Sequence, residues 1–219
     1  MKNNLIINEY DKEKIRKIYP FLDLQDRNQH DLHKLNCNRH EGLPVILFVG
    51  QIIRGKGLDL LISALSFVKE KFHLKIIGKG NDKDFIKTII KKKKLVGKVS
   101  FFDWTDKPEA FYKDAAVIVI PSRWQEPFGL IGIEAFSYKK PVIGFNVGGI
   151  SEWLKNNRNG YLIEPFDLKD MGEKIKDLLN NSNKRKTFGE SGYKMIKDKY
   201  SKEIYIKSFL NLFSELENV

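Results

Sequence analysis

The sequence predicts an α/β protein built on a single doubly wound parallel sheet. Three observations indicate this fold: short continuous apolar runs recur along the chain, segments with helical periodicity separate them, and turns rich in glycine, proline or charge follow them. Strand and helix alternate at least five times, which is the pattern of such sheets. With 219 residues, 42% of them hydrophobic, the chain can bury one sizeable core or at most two small ones.

The first three predicted strands alternate with two helices. VILFVG (45–50) is a continuous apolar run ending in glycine, as expected of a strand buried on both faces. A helix follows, with an apolar stripe at helical spacing formed by Leu58, Leu61, Ile62, Leu65 and Val68. FHLKIIG (72–78) and VSFF (99–102) are the next strands. Between them, DKDFIKTIIKKKKL begins with acids and ends with lysines, which matches a helix macrodipole.

The second half of the chain continues the alternation. AAVIVIPS (115–122) predicts a fourth strand, and the stretch from Phe128 to Tyr138 predicts the helix after it. KPVIGF (140–145) and GYLIEP (160–165) predict the fifth and sixth strands. Two or three amphipathic helices then run to the C-terminus, which completes a Rossmann-like domain.

Residues 1–42 are polar and lack apolar periodicity, so we interpret them as a linker and loop that precede a domain over residues 43–219. The N-terminus is too polar and acidic for a secretory signal, and no apolar run approaches the length needed to cross a bilayer. The single cysteine, Cys37, fits a reducing compartment. The sequence therefore predicts a soluble, cytoplasmic protein.

The net charge of +11 suits a nucleic acid, an anionic lipid surface or a phosphate-bearing small ligand. The densest lysine cluster, KKKK (91–94), ends a predicted helix, and its simplest interpretation is a solvated helix end. A patch that binds anionic lipid head groups is the alternative. Nucleic acid is disfavoured, because no recognition helix, zinc finger or RNA-binding signature accompanies the charge.

The turn GQIIRGKG (50–57) lies between the first strand and its helix, at the sheet edge where ligands bind in such folds. Its three glycines relieve steric crowding, while Arg54 and Lys56 bring positive charge to the next helix start. It is not a Walker loop, because the GK[ST] ending is missing. The turn therefore predicts a phosphate contact, with incidental surface cations as the alternative.

EPFGLIGIE (126–134) is a second candidate binding segment. Pro127 suits the first position of a helix, so the unpaired helix-start amides that favour phosphate would belong to Phe128, Gly129 and Leu130. Carboxylates accept hydrogen bonds from hydroxyls, so Glu126 and Glu134 suit a diphosphate with a sugar at one end and a ribose at the other. The alternative makes Glu126 a helix-start charge and Glu134 an exposed helix residue.

Two further features lie near these turns. NVGGISEW (146–153) has two glycines before a short helix, and could bring backbone close to the same crevice. Trp124 lies beside Glu126 and could border a sugar pocket, with a packing or surface role as the alternative.

Taken together, these segments resemble the C-terminal, donor-binding half of retaining GT-B glycosyltransferases of family 4 (glycosyl transferases group 1). The resemblance runs through VILFVGQIIRGKGLDLLISAL, AAVIVIPSRWQEPFGLIGIEAFSYKKPVIGFNVGGISEWL and NGYLIEPFDLKDM, from residue 44 to about residue 175. IINEYD (6–11) resembles the family's interdomain segment. The E-x7-E element within EPFGL, and the run from P-S to G-G, are its most specific motifs.

The resemblance assigns roles to residues of these turns. It implies that Lys56 contacts the diphosphate of a nucleotide-diphosphate sugar, that Glu126 binds the sugar hydroxyls and that Glu134 binds the ribose. Lys56 and Glu126 are accordingly the candidate catalytic residues. The other candidate donor-binding residues are Gly50, Arg54, Trp104, Phe128, Gly129 and Leu130.

Two positions refine this assignment. Trp104 lies in the turn after the third strand, where the family binds the base. The family commonly has arginine where this chain has Gln51, and Arg54 is the candidate replacement for that phosphate contact. The resemblance implies no metal ion in the chemistry and no cofactor besides the donor.

Two groups of residues only superficially suggest metal sites. Asp82-Lys83-Asp84 spells the D-x-D of metal-dependent glycosyltransferases of a different fold, but it opens a lysine-rich helix, where acids favourably cap the N-terminus. Four possible zinc ligands lie within eleven residues, but their spacing matches no common structural pattern. These residues, interpreted as part of a solvated linker, are His30, His33, Cys37 and His40.

The resemblance also implies a partner. Complete family members have an N-terminal acceptor-binding domain of similar size, which we do not find in this sequence and expect to act in cis or in trans. The chain is then either an excised donor domain or a non-catalytic nucleotide-sugar-binding subunit of a split transferase. A basic nucleic-acid binder is a third hypothesis, based on charge alone.

Overall fold

The computed structural model describes residues 15–23 and 42–217. The chain divides into two compact units, one formed by Met1–His30 with Lys194–Val219 and the other by Asp31–Tyr193. The segment IINEYD and the His30, His33, Cys37 and His40 set lie outside the described residues. The predicted domain boundary between residues 42 and 43 stays a prediction.

The larger unit is built on a six-stranded sheet in the order β3-β2-β1-β4-β5-β6, with every neighbouring pair parallel. This confirms the predicted Rossmann-like doubly wound sheet. Its strands are β1 Val45–Val49, β2 His73–Ile77, β3 Val99–Phe102, β4 Ala115–Ile120, β5 Val142–Phe145 and β6 Gly160–Ile163. The strand order reverses between β1 and β4, so the ends of these two strands flank the switch point where such folds bind ligands.

The helices follow the predicted alternation. They are α1 Leu58–Ala64, α2 Lys83–Lys92, α3 Glu109–Asp114, α4 Leu130–Ser137, α5 Ile150–Trp153, α6 Leu168–Asn180, α7 Ser182–Lys199 and α8 Lys202–Glu217. The predicted apolar stripe of α1 is buried, although the chain tightens into a 3₁₀ turn at Leu65–Phe67. Helix α3 was not predicted, because six residues are too few to show a helical period.

The predicted start of α4 at Phe128 was wrong. The helix begins at Leu130, because its N-cap, Gly129, has the left-handed φ of 83° and turns the chain only at that point. Phe128 is buried outside the helix, where its carbonyl accepts a hydrogen bond from the indole N–H of Trp153. The fully buried Trp153 of α5 thereby fixes the approach to α4.

The smaller unit, in its described part, packs residues 15–23 against the C-terminal helix. The amide of Leu22 donates to the carbonyl of Tyr200, and the rings of Phe21 and Tyr205 lie 4.7 Å apart. None of the helices in the described ranges is both long and apolar enough to cross a membrane.

Candidate functional site

The candidate site is formed by the turns that follow β1 and β4 at the switch point. The turn after β1 includes a 3₁₀ segment, Arg54–Lys56, and leads into α1. The turn after β4 runs through residues 121–129 and leads into α4. Because β1 and β4 pair in parallel, both turns emerge at the same sheet edge.

Lys56 and Glu126 meet at the centre of this site. The Lys56 ammonium donates to Glu126 Oε1 at 2.7 Å, although 70 positions separate the two residues. The Ser122 hydroxyl donates to the same oxygen at 2.7 Å. Glu126 is only 9% exposed, so its charge is compensated mainly by these two groups.

The two turns are fastened by hydrogen bonds around Gly55. The Gly55 carbonyl accepts from the amide of Arg123 at 2.9 Å, and the Arg123 guanidinium forms a bidentate ion pair with Asp59 at 2.6 and 2.7 Å. Burial alone would raise the pKa of Asp59, but the hydrogen bonds and charge of Arg123 lower it below its ordinary value. The position of Lys56 relative to Glu126 is therefore fixed by backbone and side-chain contacts.

The N-terminus of α4 follows Glu126 by four residues in the chain. A helix leaves its first N–H groups without partners in the helix, and no side chain caps this end. Leu130, the first helical residue, is 47% exposed. The donors at this helix start thus begin with the Leu130 amide, two residues later than predicted, and Phe128 and Gly129 lie outside the first turn.

The NVGG turn lies directly against the segment before α4, as the sequence suggested. The amide of Gly149 donates to the Glu126 carbonyl at 2.7 Å, and the amide of Gly148 donates to the side chain of Gln125 at 2.6 Å. Gly148 has a φ of 57°, and a Cβ there would lie 2.1 Å from the Glu126 carbonyl oxygen. Only glycine fits this position without displacing the Glu126 backbone.

Glu134 lies one turn into α4 and is partly buried. Its Oε2 accepts a hydrogen bond from the Tyr112 hydroxyl at 2.9 Å. Tyr112 belongs to α3, is 1% exposed and stacks on Tyr138 at 5.3 Å between ring centroids. The second carboxylate of the E-x7-E element is therefore oriented by a neighbouring helix.

Three other predicted site residues have different surroundings. The exposed Arg54 guanidinium lies 5.4 Å from the centre of the Phe85 ring. The Gly50 amide donates to the Ile77 carbonyl of β2. Trp104 is 57% exposed after β3, two strands away from β1, and within residues 42–217 no described contact joins it to Lys56 or Glu126.

Three residues that orient the site were not predicted from the sequence. Ser122, Tyr112 and Trp153 contact Glu126, Glu134 and Phe128 respectively. Ser122 has a weak sequence signal, since it lies two residues after the end of β4. The other two contacts depend on how α3 and α5 pack, which local sequence does not encode.

No group of three or more metal-binding side chains occurs among the residues that the structure describes. Asp82 is the N-cap of α2, and Asp84 in its first turn pairs with Lys87 at 2.8 Å. The D-x-D residues thus occupy the helix start, where acids interact favourably with the dipole.

Comparison with known proteins identifies similar chains. The family model described as glycosyl transferases group 1 matches residues 33–195. The poly(ribitol-phosphate) alpha-N-acetylglucosaminyltransferase of Staphylococcus aureus (strain COL) is 32% identical over 215 residues, covering 95% of this chain and 41% of that protein. An uncharacterized glycosyltransferase of Methanocaldococcus jannaschii is 35% identical over 177 residues, covering 78% of this chain and 48% of that protein.

A solved structure shows the same fold. A mutant of S. aureus TarM, crystallised with fondaparinux, alpha-GlcNAc-glycerol and UDP, superposes with a TM-score of 0.80 at 31% identity. The match covers 95% of this chain and 41% of that one. The chain therefore spans less than half the length of these similar proteins.

Proposed function

Since the chain belongs to the glycosyl transferases group 1 family, we propose that it is the donor-binding domain of a retaining glycosyltransferase that uses a nucleotide-diphosphate sugar. The observation that carries this proposal is the Lys56–Glu126 pair beside the uncapped start of α4. The turns that flank the switch point between β1 and β4 then carry the ammonium and the carboxylate, and the second turn leads into the start of α4.

Each group suits one part of such a donor. An ammonium has three N–H donors, so Lys56 can keep Glu126 and still donate to a diphosphate oxygen. The amides at the start of α4 donate to the same anion. Glu126 accepts from the hydroxyls of the transferred sugar, and Glu134 accepts from those of the ribose.

The chemistry required of these groups is electrostatic. Transfer of the sugar breaks its bond to the diphosphate, and negative charge develops on the leaving oxygen. Lys56 and the α4 amides stabilise that charge from fixed positions, which costs no reorganisation during reaction. Retention of the anomeric configuration is part of the proposal and rests on the family resemblance. NMR of the linkage formed by the complete protein tests it.

The nucleotide and the second domain are also proposals. UDP is bound in the TarM structure, which makes UDP the first nucleotide to test on this chain. The similar proteins are about twice as long as this chain, which supports an acceptor-binding domain that acts with it in cis or in trans. In trans, the chain would be the nucleotide-sugar-binding subunit of a split transferase.

Calorimetric titration of the chain with UDP, GDP, ADP, CDP and dTDP tests donor binding. We expect at least one to bind with a dissociation constant in the micromolar to millimolar range, roughly −4 to −8 kcal/mol. Lys56→Ala should weaken that binding at least about tenfold, because hydrogen bonds to charged groups contribute about 1.5–3 kcal/mol.

Lys169→Ala is the matched control, because Lys169 is an exposed lysine at the start of α6. It should bind as the wild type does. Failure of all five diphosphates to bind at millimolar concentration, or an equal loss in both variants, would contradict the proposal.

We also propose a cytoplasmic protein that contacts an anionic membrane surface through the end of α2. Lys91, Lys92 and Lys94 are exposed there, and Val96 is 67% exposed just beyond them. Each lysine near an anionic bilayer contributes about 1 kcal/mol. Charge reversal of the three lysines should abolish co-sedimentation with phosphatidylglycerol vesicles. Unchanged sedimentation would instead support a solvated helix end.

A further inference from the structure

Trp124 is a large apolar side chain that remains 55% exposed beside the site. It lies two residues before Glu126 in the turn after β4. Trp153, by contrast, is fully buried. Single exposed aromatic side chains are common at protein surfaces, so exposure alone assigns Trp124 no role. What distinguishes Trp124 is that its ring packs on the turn that carries Lys56.

The indole is held in place by packing and by hydrogen bonds of its turn, although it is half exposed. A Cβ added to Gly55 would lie 1.9 Å from the six-membered ring of Trp124, so one part of the indole packs directly on the Gly55 backbone. The amides of Arg123 and Trp124 both point to the Gly55 carbonyl, at 2.9 and 3.4 Å. The bidentate Arg123–Asp59 ion pair fixes the turn further.

This packing links the ring to the turn that carries Lys56. Gly55, on which the indole packs, immediately precedes Lys56. Lys56 in turn reaches Glu126, the proposed partner of the sugar hydroxyls. The indole is therefore a half-exposed apolar surface that packs on the residue before Lys56 and belongs to the same turn as Glu126.

We propose that Trp124 determines sugar binding by packing against the apolar C–H face of the donor's pyranose ring. A sugar ring presents hydroxyls at its rim and C–H groups on its faces, so it needs both an acceptor and an apolar wall. Glu126 supplies the first and Trp124 supplies the second. A preorganised indole loses little side-chain entropy when it makes this contact.

The inference rests on the proposed function, because it requires a nucleotide sugar in this site. It assigns Trp124 to the sugar alone and not to the nucleotide. That separation gives the test, since UDP and UDP-sugars differ only in the group that Trp124 would contact.

The experiment compares the affinity of the chain for UDP with its affinity for UDP-glucose and UDP-N-acetylglucosamine by calorimetry. Trp124→Ala should lower the affinity for the better-binding UDP-sugar about tenfold, because it removes roughly 50 Å² of apolar contact. Its affinity for UDP should change less than about twofold, because UDP lacks the sugar. Trp124→Phe should retain most of the sugar affinity, because it keeps a flat apolar ring.

Phe67→Ala is the control, because Phe67, in the 3₁₀ turn after α1, is a similarly exposed aromatic residue, at 53%. It should leave both affinities unchanged. Suppose that the wild type binds UDP, and that Trp124→Ala either lowers the affinities for UDP and the UDP-sugar equally or changes neither affinity. The role of Trp124 is then refuted, while the proposed function stands. If the wild type binds a nucleoside diphosphate other than UDP, the same comparison is made with that nucleotide and its sugars. If it binds none of the five nucleoside diphosphates and none of their sugars, both proposals are refuted.

Discussion

At the scale of single residues, Glu126 has more partners than a simple helix-start charge needs. Its carboxylate accepts from Lys56 and Ser122, and its backbone carbonyl accepts from Gly149. It is 9% exposed, and α4 begins four residues later. A charge that only complemented the helix dipole would gain nothing from this burial, because desolvation opposes it.

Glu126 should therefore affect stability as well as binding. We expect Glu126→Ala to lower the free energy of unfolding by about 1–3 kcal/mol, because it leaves Lys56 and Ser122 without their shared acceptor. Glu126→Gln keeps the shape and a hydrogen-bond acceptor, so its loss should be smaller. Urea denaturation measures both. Glu173→Ala, at an exposed position of α6, is the control, and an equal effect there would contradict this account.

Tyr112 is the second residue with a specific expected effect. Its hydroxyl donates to Glu134, which we propose binds the ribose. Tyr112→Phe removes only this hydroxyl. It should lower the affinity for a nucleoside diphosphate about three- to tenfold, the equivalent of one hydrogen bond. The 2′-deoxy form of the same nucleotide lacks the hydroxyl that Glu134 would accept from. It should therefore bind the wild type and Tyr112→Phe with equal affinity.

Calorimetry with the tightest-binding nucleoside diphosphate and its 2′-deoxy form separates the two roles of Tyr112. A positioning role predicts the selective loss, and Glu134→Gln should reproduce it. An equal loss for both nucleotides would show that Tyr112 only stabilises the packing of α3 on the domain.

At the scale of elements, three turns from separate parts of the chain converge at one sheet edge. The turn after β1 supplies Lys56, the turn after β4 supplies Glu126, and the turn before α5 packs under Glu126. The first two could be predicted to lie together, because parallel strands bring their carboxyl ends to the same edge. For the third turn, the sequence could predict only that its backbone comes close to the site. Its contact with Glu126 depends on the path of the backbone around Gly148.

Gly148 therefore tests whether this third turn positions the site. Gly148→Ala should cost about 1 kcal/mol for the left-handed backbone and more for the overlap with the Glu126 carbonyl, and it should weaken nucleotide binding. Gly97→Ala is the matched control, because Gly97 also has a left-handed φ, of 84°, but nothing lies within 4 Å of the added Cβ.

Thermal unfolding and calorimetry measure the two effects. Gly97→Ala should show only the backbone cost and bind nucleotide normally. Equal stability losses in the two variants would mean that the overlap at Gly148 is relieved without cost, and that the turn does not constrain Glu126.

At the scale of the whole molecule, the sequence predicted the sheet, each strand and the family resemblance, all of which the structure and the similar proteins confirm. Continuous apolar runs made these predictions possible, because a parallel strand buried on both faces is apolar at nearly every position. The start of α4 was misplaced, because Pro127 satisfies a helix-start rule while Gly129 turns the backbone two residues later. The roles of Tyr112 and Trp153 depend on packing between helices distant in sequence.

A crystal structure of the chain with UDP, or with whichever nucleoside diphosphate binds tightest, tests the central claim most directly. We predict the diphosphate between the turns after β1 and β4, with an oxygen within hydrogen-bond distance of Lys56 Nζ and of the amide of Leu130. A diphosphate bound elsewhere, or one that contacts neither group, would contradict the assignment of this site.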